Sequence, residues 1–296
     1  MTFEEMPFRP PMEVNSVLVR GTQSCTWNKC KFCYMSQGYK FKYATLEYME
    51  NEILEQIKYI PPCPSIFIIG SNPFTLPFDV LKGYAGLLRK YFPDFTEISM
   101  HSRLSDVRKK TGKELHDLYE LGFRHLYIGT ESGNDEALSI MNKGHNVDQA
   151  CEVLTRLDTV GIQYTCQYII GMAGKGKGLE SGKATAQFIN RIHARRVMST
   201  GLTSFSGSEL PEMIARGEFV EASEKEKLEE MLIFFETLTA NIFFEGIHYL
   251  NPLRYRFQTS NIKNKKNVIE EIKNYLNKYS EKELEEMVNR KAMYTL

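Results

Sequence analysis

The sequence predicts an α/β protein: a parallel sheet wrapped by helices and curled into a partial (β/α)6 TIM-like barrel, with a C-terminal helical extension. Three observations predict it. Short apolar runs of strand length alternate with amphipathic runs of helix length. The alternation repeats at roughly 30-residue spacing, and repeated β-then-α steps build parallel sheets. The loops of unusual composition all follow a strand, and such folds carry function at the carboxyl ends of their strands. An open doubly wound sheet is the alternative arrangement of the same elements.

Residues 1–14 read as a lead-in. NSVLVR (15–20) is the first strand, and a cysteine-rich loop follows it. A helix is expected over 45–60, then a strand at SIFIIG (65–70), a helix over 76–92 and a strand at EISMHS (97–102). A helix over 112–122, a strand at RHLYIGTE (124–131) and a helix over 146–161 come next. IQYTCQYIIG (162–171) is the fifth strand, 180–193 a helix and RRVMSTGLTSF (195–205) the sixth strand. These make a core over 15–205. Beyond it the pattern changes. A long helix is expected over 223–244, then an aromatic segment (245–257) and two charged helices, about 267–278 and 280–291. Residues 206–296 therefore read as an extension packed on the barrel and closing it.

The chain has 296 residues, 42% of them hydrophobic and 25% charged, as in ordinary globular proteins. Its formal net charge is zero, so no whole-protein field attracts nucleic acid or a membrane surface. No apolar run has the length of a signal peptide core or a membrane span, and a cytoplasmic location is expected. In a reducing compartment a tight cysteine cluster points to metal ligation or catalysis. Cys63, Cys151 and Cys166 are scattered and read as small apolar fillers.

CTWNKCKFC (25–33) places Cys25, Cys30 and Cys33 in a C-x4-C-x2-C pattern directly after the first strand. Three thiolates can hold three irons of a cubane and leave the fourth without a protein ligand. A structural zinc site is the alternative, but it needs four ligands, and no fourth cysteine or histidine lies in the loop. A redox or chance cluster is the third reading.

With Phe32 just before its last cysteine, this triplet resembles the cluster motif of radical S-adenosylmethionine (radical SAM) enzymes, in a variant with four residues in the first gap. The resemblance covers about residues 15–205. GSNPF (70–74) falls where that family carries a Gly-Gly-Glu-type turn holding the amino group of SAM, which implies SAM contacts at Gly70, Ser71 and Asn72; an ordinary Asn-Pro turn is the bland reading. GTESGNDEALSIMNKGH (129–145) is similar to the matching stretch of the branch that includes oxygen-independent coproporphyrinogen dehydrogenases, radical methylthiotransferases and cobalamin-type radical SAM proteins. Glu131 and Lys143 have the spacing of two SAM-contacting residues there, a glutamine and an arginine. A helix N-terminus with acidic first-turn residues, Asp135 and Glu136, is the alternative. His101 in EISMHSR (97–103) aligns with a SAM-contacting glutamate of those relatives. Arg103 beside it would contact SAM or hold a substrate carboxylate. Gln167 falls where relatives place a polar residue near the adenosine. QYIIGMAGKGKG (167–178) reads as a mobile glycine-rich rim. It is also one hydroxyl short of a P-loop, having Gly178 where Ser or Thr should hold magnesium.

The resemblance implies one [4Fe–4S] cluster on Cys25, Cys30 and Cys33, with SAM chelating the open iron. A low-potential electron from a flavodoxin- or ferredoxin-type donor would cleave SAM to methionine and a 5′-deoxyadenosyl radical. That radical would abstract hydrogen from a small-molecule substrate. Lys29 and Lys31 would offer a docking face for an acidic donor or serve solubility alone, and Trp27 would shield the cluster or pack on adenine. No cobalamin domain is visible. His248, within FFEGIHYLNPLRYRF (243–257), is a candidate substrate contact or proton donor. Three rivals remain: a tRNA-modifying radical SAM enzyme, for which no basic surface is seen, a non-catalytic iron–sulfur or metal-binding protein, and a nucleotide-hydrolysing protein read from the near P-loop.

Overall fold

The computed structural model describes residues 2–6, 8–58 and 65–293. In chain order the elements are β1 (Val17–Arg20), β2 (Thr22–Gln23), β3 (Lys42–Tyr43), α1 (Leu46–Gln56), β4 (Ser65–Ile69), α2 (Phe78–Tyr91), β5 (Glu97–Ser102), α3 (Leu104–Arg108), α4 (Gly112–Glu120), β6 (Phe123–Glu131), α5 (Asp135–Ile140), α6 (Val147–Val160), β7 (Gln163–Ile170), α7 (Gly178–Asn190), β8 (Arg196–Gly201), α8 (Leu210–Ala215), α9 (Glu224–Thr237), β9 (Phe243–Gly246), β10 (Tyr255–Gln258), α10 (Ile262–Lys278) and α11 (Glu281–Val288). Cys63 and the end of the helix expected over 45–60 lie outside the described residues.

The fold is α/β. Its main sheet has eight strands in the order β1-β4-β5-β6-β7-β8-β9-β10, with β2 and β3 as a separate pair. The first six of those eight are the six predicted strands. Their spatial order equals their chain order, without the reversal that gives a doubly wound sheet its switch point. Chain-ordered parallel strands are the succession that a (β/α) barrel uses; β1 and β10 end the order, so the described strands close no ring.

Contacts divide the chain into two compact units. The first comprises Met1–Asn28, Met35–Gly129 and Thr155–Tyr164. Here β1, β4 and β5 run parallel, with Val17 opposite Ile66 and Ile66 opposite Ile98. The last four residues of β4, Ile66 to Ile69, are all buried, as expected of a strand covered on both faces. Thr45 caps α1 by accepting from the Tyr48 N–H, and Thr111 and Glu114 form a capping box on α4.

The second unit comprises Lys29–Tyr34, Thr130–Leu154 and Thr165–Leu296. β7, β8 and β9 are parallel and β10 returns antiparallel to β9. Their outer face meets α9 through aromatic rings, Phe235 and Phe244 lying 4.7 Å apart. Cys166 is fully buried there, as a filler should be; Cys151 is half-buried on α6.

Two expectations change in this unit. The helix expected over 223–244 stops at Thr237. The β-branched Thr237 and Thr239 weaken helix continuation. Asn190, from the end of α7, then captures the chain: its carbonyl oxygen accepts from Thr239 N and Ala240 N at 2.7 and 2.9 Å, and its amide donates to Thr237 O. The aromatic segment then enters the sheet as β9 and β10. The region after residue 205 thus adds strands as well as helices.

Candidate functional site

The residues singled out from the sequence fall into both units. Cys25, Gly70, Ser71, Asn72, His101 and Arg103 belong to the first, and Cys30, Phe32, Cys33, Glu131, Lys143 and Gln167 to the second.

In the first unit Cys25 follows β2 on a tightly bent chain. Ser24 has φ of 64° and Asn28 of 45°, uncommon for residues with side chains. Two sets of bonds hold this bend. Asn72, fully buried at the end of β4, accepts from Thr26 N at 3.2 Å and donates to Thr26 Oγ1 at 2.8 Å and Asp106 Oδ2 at 3.0 Å. Glu5 accepts from Ser24 N at 2.7 Å, Ser36 Oγ at 2.8 Å and Ser71 Oγ at 3.0 Å. The Asn72 amide is thus engaged with the cysteine loop itself. Glu5 was not expected: it lies in the lead-in, and its partners are 19 to 66 residues away.

Gly70 is required by the backbone. Its φ is 149°, and a Cβ there would lie 2.8 Å from the Thr22 carbonyl oxygen. The Gly70 carbonyl accepts from His101 Nδ1 at 3.1 Å, which leaves His101 Nε2 as the acceptor nitrogen. Burial pushes His101 below the usual imidazole range, so the ring is neutral. It sits edge-on to Phe67 and Tyr127. The Arg103 guanidinium lies 4.9 Å from the Trp27 ring centre, a cation–π contact two residues from Cys25.

In the second unit Cys33 N donates to Cys30 O at 3.1 Å, closing a turn. Lys31 anchors it at both backbone atoms, donating to Met141 O and accepting from Leu210 N. Phe32 packs on the apolar cluster that includes Leu138, Met141, Met172 and Leu210. Lys31 pairs with Glu209 at 3.6 Å, which offsets one of the two lysine charges flanking Cys30.

Glu131 ends β6 with φ of 66°. Its Oε1 accepts from Lys143 Nζ at 3.0 Å, and the two side chains are only 8% and 6% exposed. Its Oε2 is buried without a hydrogen-bond partner. Lys143 reaches this position because α5 ends in a Schellman motif: Asn142 is left-handed, and the N–H groups of Asn142 and Lys143 return to Ser139 O and Leu138 O. Gly133 lets the loop lie on α7, where a Cβ would stand 2.5 Å from Thr185 Cα. Gln167 donates to Thr200 Oγ1 at 3.3 Å.

The glycine-rich loop after β7 is tied down. Gly171 N donates to Glu230 Oε2, Gly176 N to Glu226 Oε1 and Lys175 N to Val220 O. The N–H groups that a P-loop turns toward phosphate are here given to two carboxylates on α9 and to the Val220 carbonyl.

Among the described residues no group of three or more His, Cys, Asp or Glu is placed to hold a single metal ion. A cubane differs, since each thiolate binds its own iron. The donors suit such a group in kind: Cys25 in the first unit and Cys30 and Cys33 in the second are half-buried thiols, and in the second unit Glu131 keeps one buried carboxylate oxygen without a hydrogen-bond partner. No described helix is long and apolar enough to cross a membrane.

The family model described as Radical SAM superfamily matches residues 19–189. An uncharacterized protein of Methanocaldococcus jannaschii is 23% identical over 217 residues, 72% of this chain and 65% of that protein. The radical SAM methyltransferase TsrM of Kitasatospora setae, solved with cobalamin and a [4Fe–4S] cluster, aligns with a TM-score of 0.56 and 15% identity over 68% of this chain and 39% of its own. Coproporphyrinogen III oxidase (HemN) of Escherichia coli, a radical SAM enzyme, aligns at 0.52 with 20% identity over 75% and 51%. Elp3 of Methanocaldococcus infernus aligns at 0.55 with 16% identity over 89% and 63%. The chain spans less than two thirds of each of these relatives. At these identities the structures establish likeness of fold.

Proposed function

The chain belongs to the radical SAM superfamily, whose enzymes bind a [4Fe–4S] cluster and SAM, and from that premise we propose that Cys25, Cys30 and Cys33 ligate the cluster of a SAM-cleaving enzyme acting on a small-molecule substrate. One observation carries this: the matched segment contains all three cysteines and every strand-end residue singled out from the sequence. When bound, cluster and SAM together supply a 5′-deoxyadenosyl radical for hydrogen abstraction.

The chain's own residues orient and neutralise. Asn72 and Arg103 fix the Cys25 segment through Thr26 and Trp27; Met141 and Leu210 fix the Cys30 turn through Lys31. Glu131 Oε2 accepts from a donor on SAM, its ammonium or a ribose hydroxyl. Lys143 holds that carboxylate in place by pairing with it. Gln167, His101 Nε2 and the Gly70–Asn72 turn supply the remaining polar contacts. A low-potential donor of the flavodoxin or ferredoxin type delivers the electron.

The test is anaerobic purification, reconstitution, and addition of dithionite and SAM. 5′-Deoxyadenosine and methionine are expected in equal amounts. Each of Cys25→Ala, Cys30→Ala and Cys33→Ala is expected to lose the cluster's visible absorbance along with both products. A wild-type protein with full iron that yields neither product overturns the proposal.

A further inference from the structure

Residues 2–5 of the lead-in lie against the first unit through contacts that the proposal above does not employ. Phe3 docks by its ring. The Arg20 guanidinium and Lys42 Nζ lie 5.3 and 5.5 Å from its centre, and the Tyr48 ring stands edge-on at 5.0 Å. The backbone is held as well. Gln23 Oε1 accepts from Glu4 N at 2.6 Å and from Glu5 N at 3.3 Å. Arg20 Nη2 donates to Glu5 O at 3.4 Å, and Lys42 Nζ donates to Thr2 O.

The arm so fixed places one buried side chain, Glu5, which is 4% exposed. Its Oε2 accepts from Ser24 N at 2.7 Å, and its Oε1 accepts from Ser36 Oγ at 2.8 Å and Ser71 Oγ at 3.0 Å. Ser24 directly precedes Cys25, and Ser36 follows Cys33 by three residues. Both serines belong to the first unit and stand at the two ends of the loop 25–35. They also meet each other. Ser24 Oγ donates to Ser36 O at 3.4 Å, and Asn28 Nδ2 donates to the same oxygen at 2.9 Å. These bonds make the neck of a compact loop whose ends lie together. The Ser36 and Ser71 hydroxyls, 2.7 Å apart, tie that neck to the turn after β4. Ser24 is left-handed, a conformation that serine seldom adopts and that surrounding bonds must hold; Glu5 takes its N–H.

We propose that residues 2–5 act as a clasp and that Glu5 is a positioning residue for the cluster: its carboxylate closes the neck of the loop that carries Cys25, Cys30 and Cys33. The clasp stands on its own geometry; its service to a cluster rests on the function proposed above. Glutamine can keep the neck shut. Its oxygen accepts from Ser24 N, and the two hydroxyls turn to accept from its amide. Alanine offers nothing to any of the three.

The test uses the full chain before and after reconstitution. In the metal-free protein, amide hydrogen exchange of peptides spanning residues 24–36 should quicken about tenfold or more in Glu5→Ala and stay near the wild-type rate in Glu5→Gln. After anaerobic reconstitution, iron per protein and the EPR amplitude of the dithionite-reduced cluster should fall by about half or more in Glu5→Ala, with Glu5→Gln retaining both. Glu4→Gln is the control, since the exposed Glu4 carboxylate makes only a 3.6 Å surface pair with Lys42; it should match the wild type throughout. Should Glu5→Ala fail to fold, Ser36→Ala takes its place. It removes one of the three donors and should move exchange and iron content the same way by less. Unchanged exchange in the variant that folds overturns the clasp. Equal losses in Glu5→Gln and Glu5→Ala, or wild-type iron and EPR in Glu5→Ala, overturn the positioning role. Faster exchange in Glu5→Ala beside a wild type that takes up no cluster leaves the clasp standing, while the proposed function falls and the clasp's service to a cluster falls with it.

Discussion

Glu131 and Lys143 form a buried ion pair with one carboxylate oxygen left over. Removing one partner strands the other charge away from water. Glu131→Gln should therefore lower stability by about 3–5 kcal/mol, read as a shift in urea midpoint at constant slope. Glu131→Gln combined with Lys143→Met should recover most of that loss. The pair's spacing was legible in the sequence, but its mutual contact was not: the Schellman turn that swings Lys143 back depends on Asn142 adopting a left-handed conformation. The cysteines were legible because their spacing is local. Glu5 was not, because a lone acid near the chain start has no local pattern, and every group it binds at the Cys25 bend comes from later segments.

The connections between elements carry their own tests. Glu230 on α9 joins three elements or loops, accepting from Tyr168 OH on β7, Ser181 Oγ on α7 and Gly171 N. Burial pushes its carboxyl up from 4.5 to about 7. Between those values the folded state holds a proton that the unfolded chain releases. Stability should therefore fall by roughly 3 kcal/mol as pH rises from about 4.5 to about 7, then level off. Glu230→Gln should flatten that slope in denaturation measured across the same range. Asn72→Ala removes three bonds between the Cys25 bend, β4 and α3. A loss of about 2 kcal/mol is expected, with iron per protein after reconstitution falling below the wild-type value. The first six strands of the main sheet were readable because β-branched and apolar runs of four to nine residues are bounded by glycine, proline or polar turns. β9 was hidden because Phe243 and Phe244 continue an apolar pattern that α9 also uses. What separates them is Asn190, a residue about 50 positions earlier.

For the whole molecule, the region after residue 205 supplies strands to the sheet, so it should not be removable. Ending the chain after residue 241 would expose the edge of β8 that β9 covers. Such a protein should elute as aggregate in gel filtration, where the full chain gives a discrete peak. The anchoring of the cysteine segment also constrains biosynthesis. Residues 25–33 leave the ribosome early, yet the Lys31 backbone waits for Met141 and then Leu210. Until Leu210 has been translated, the turn that carries Cys30 and Cys33 lacks its second backbone anchor. If those cysteines hold the proposed cluster, a stalled nascent fragment ending before Leu210 should take up less iron in reconstitution than the full chain.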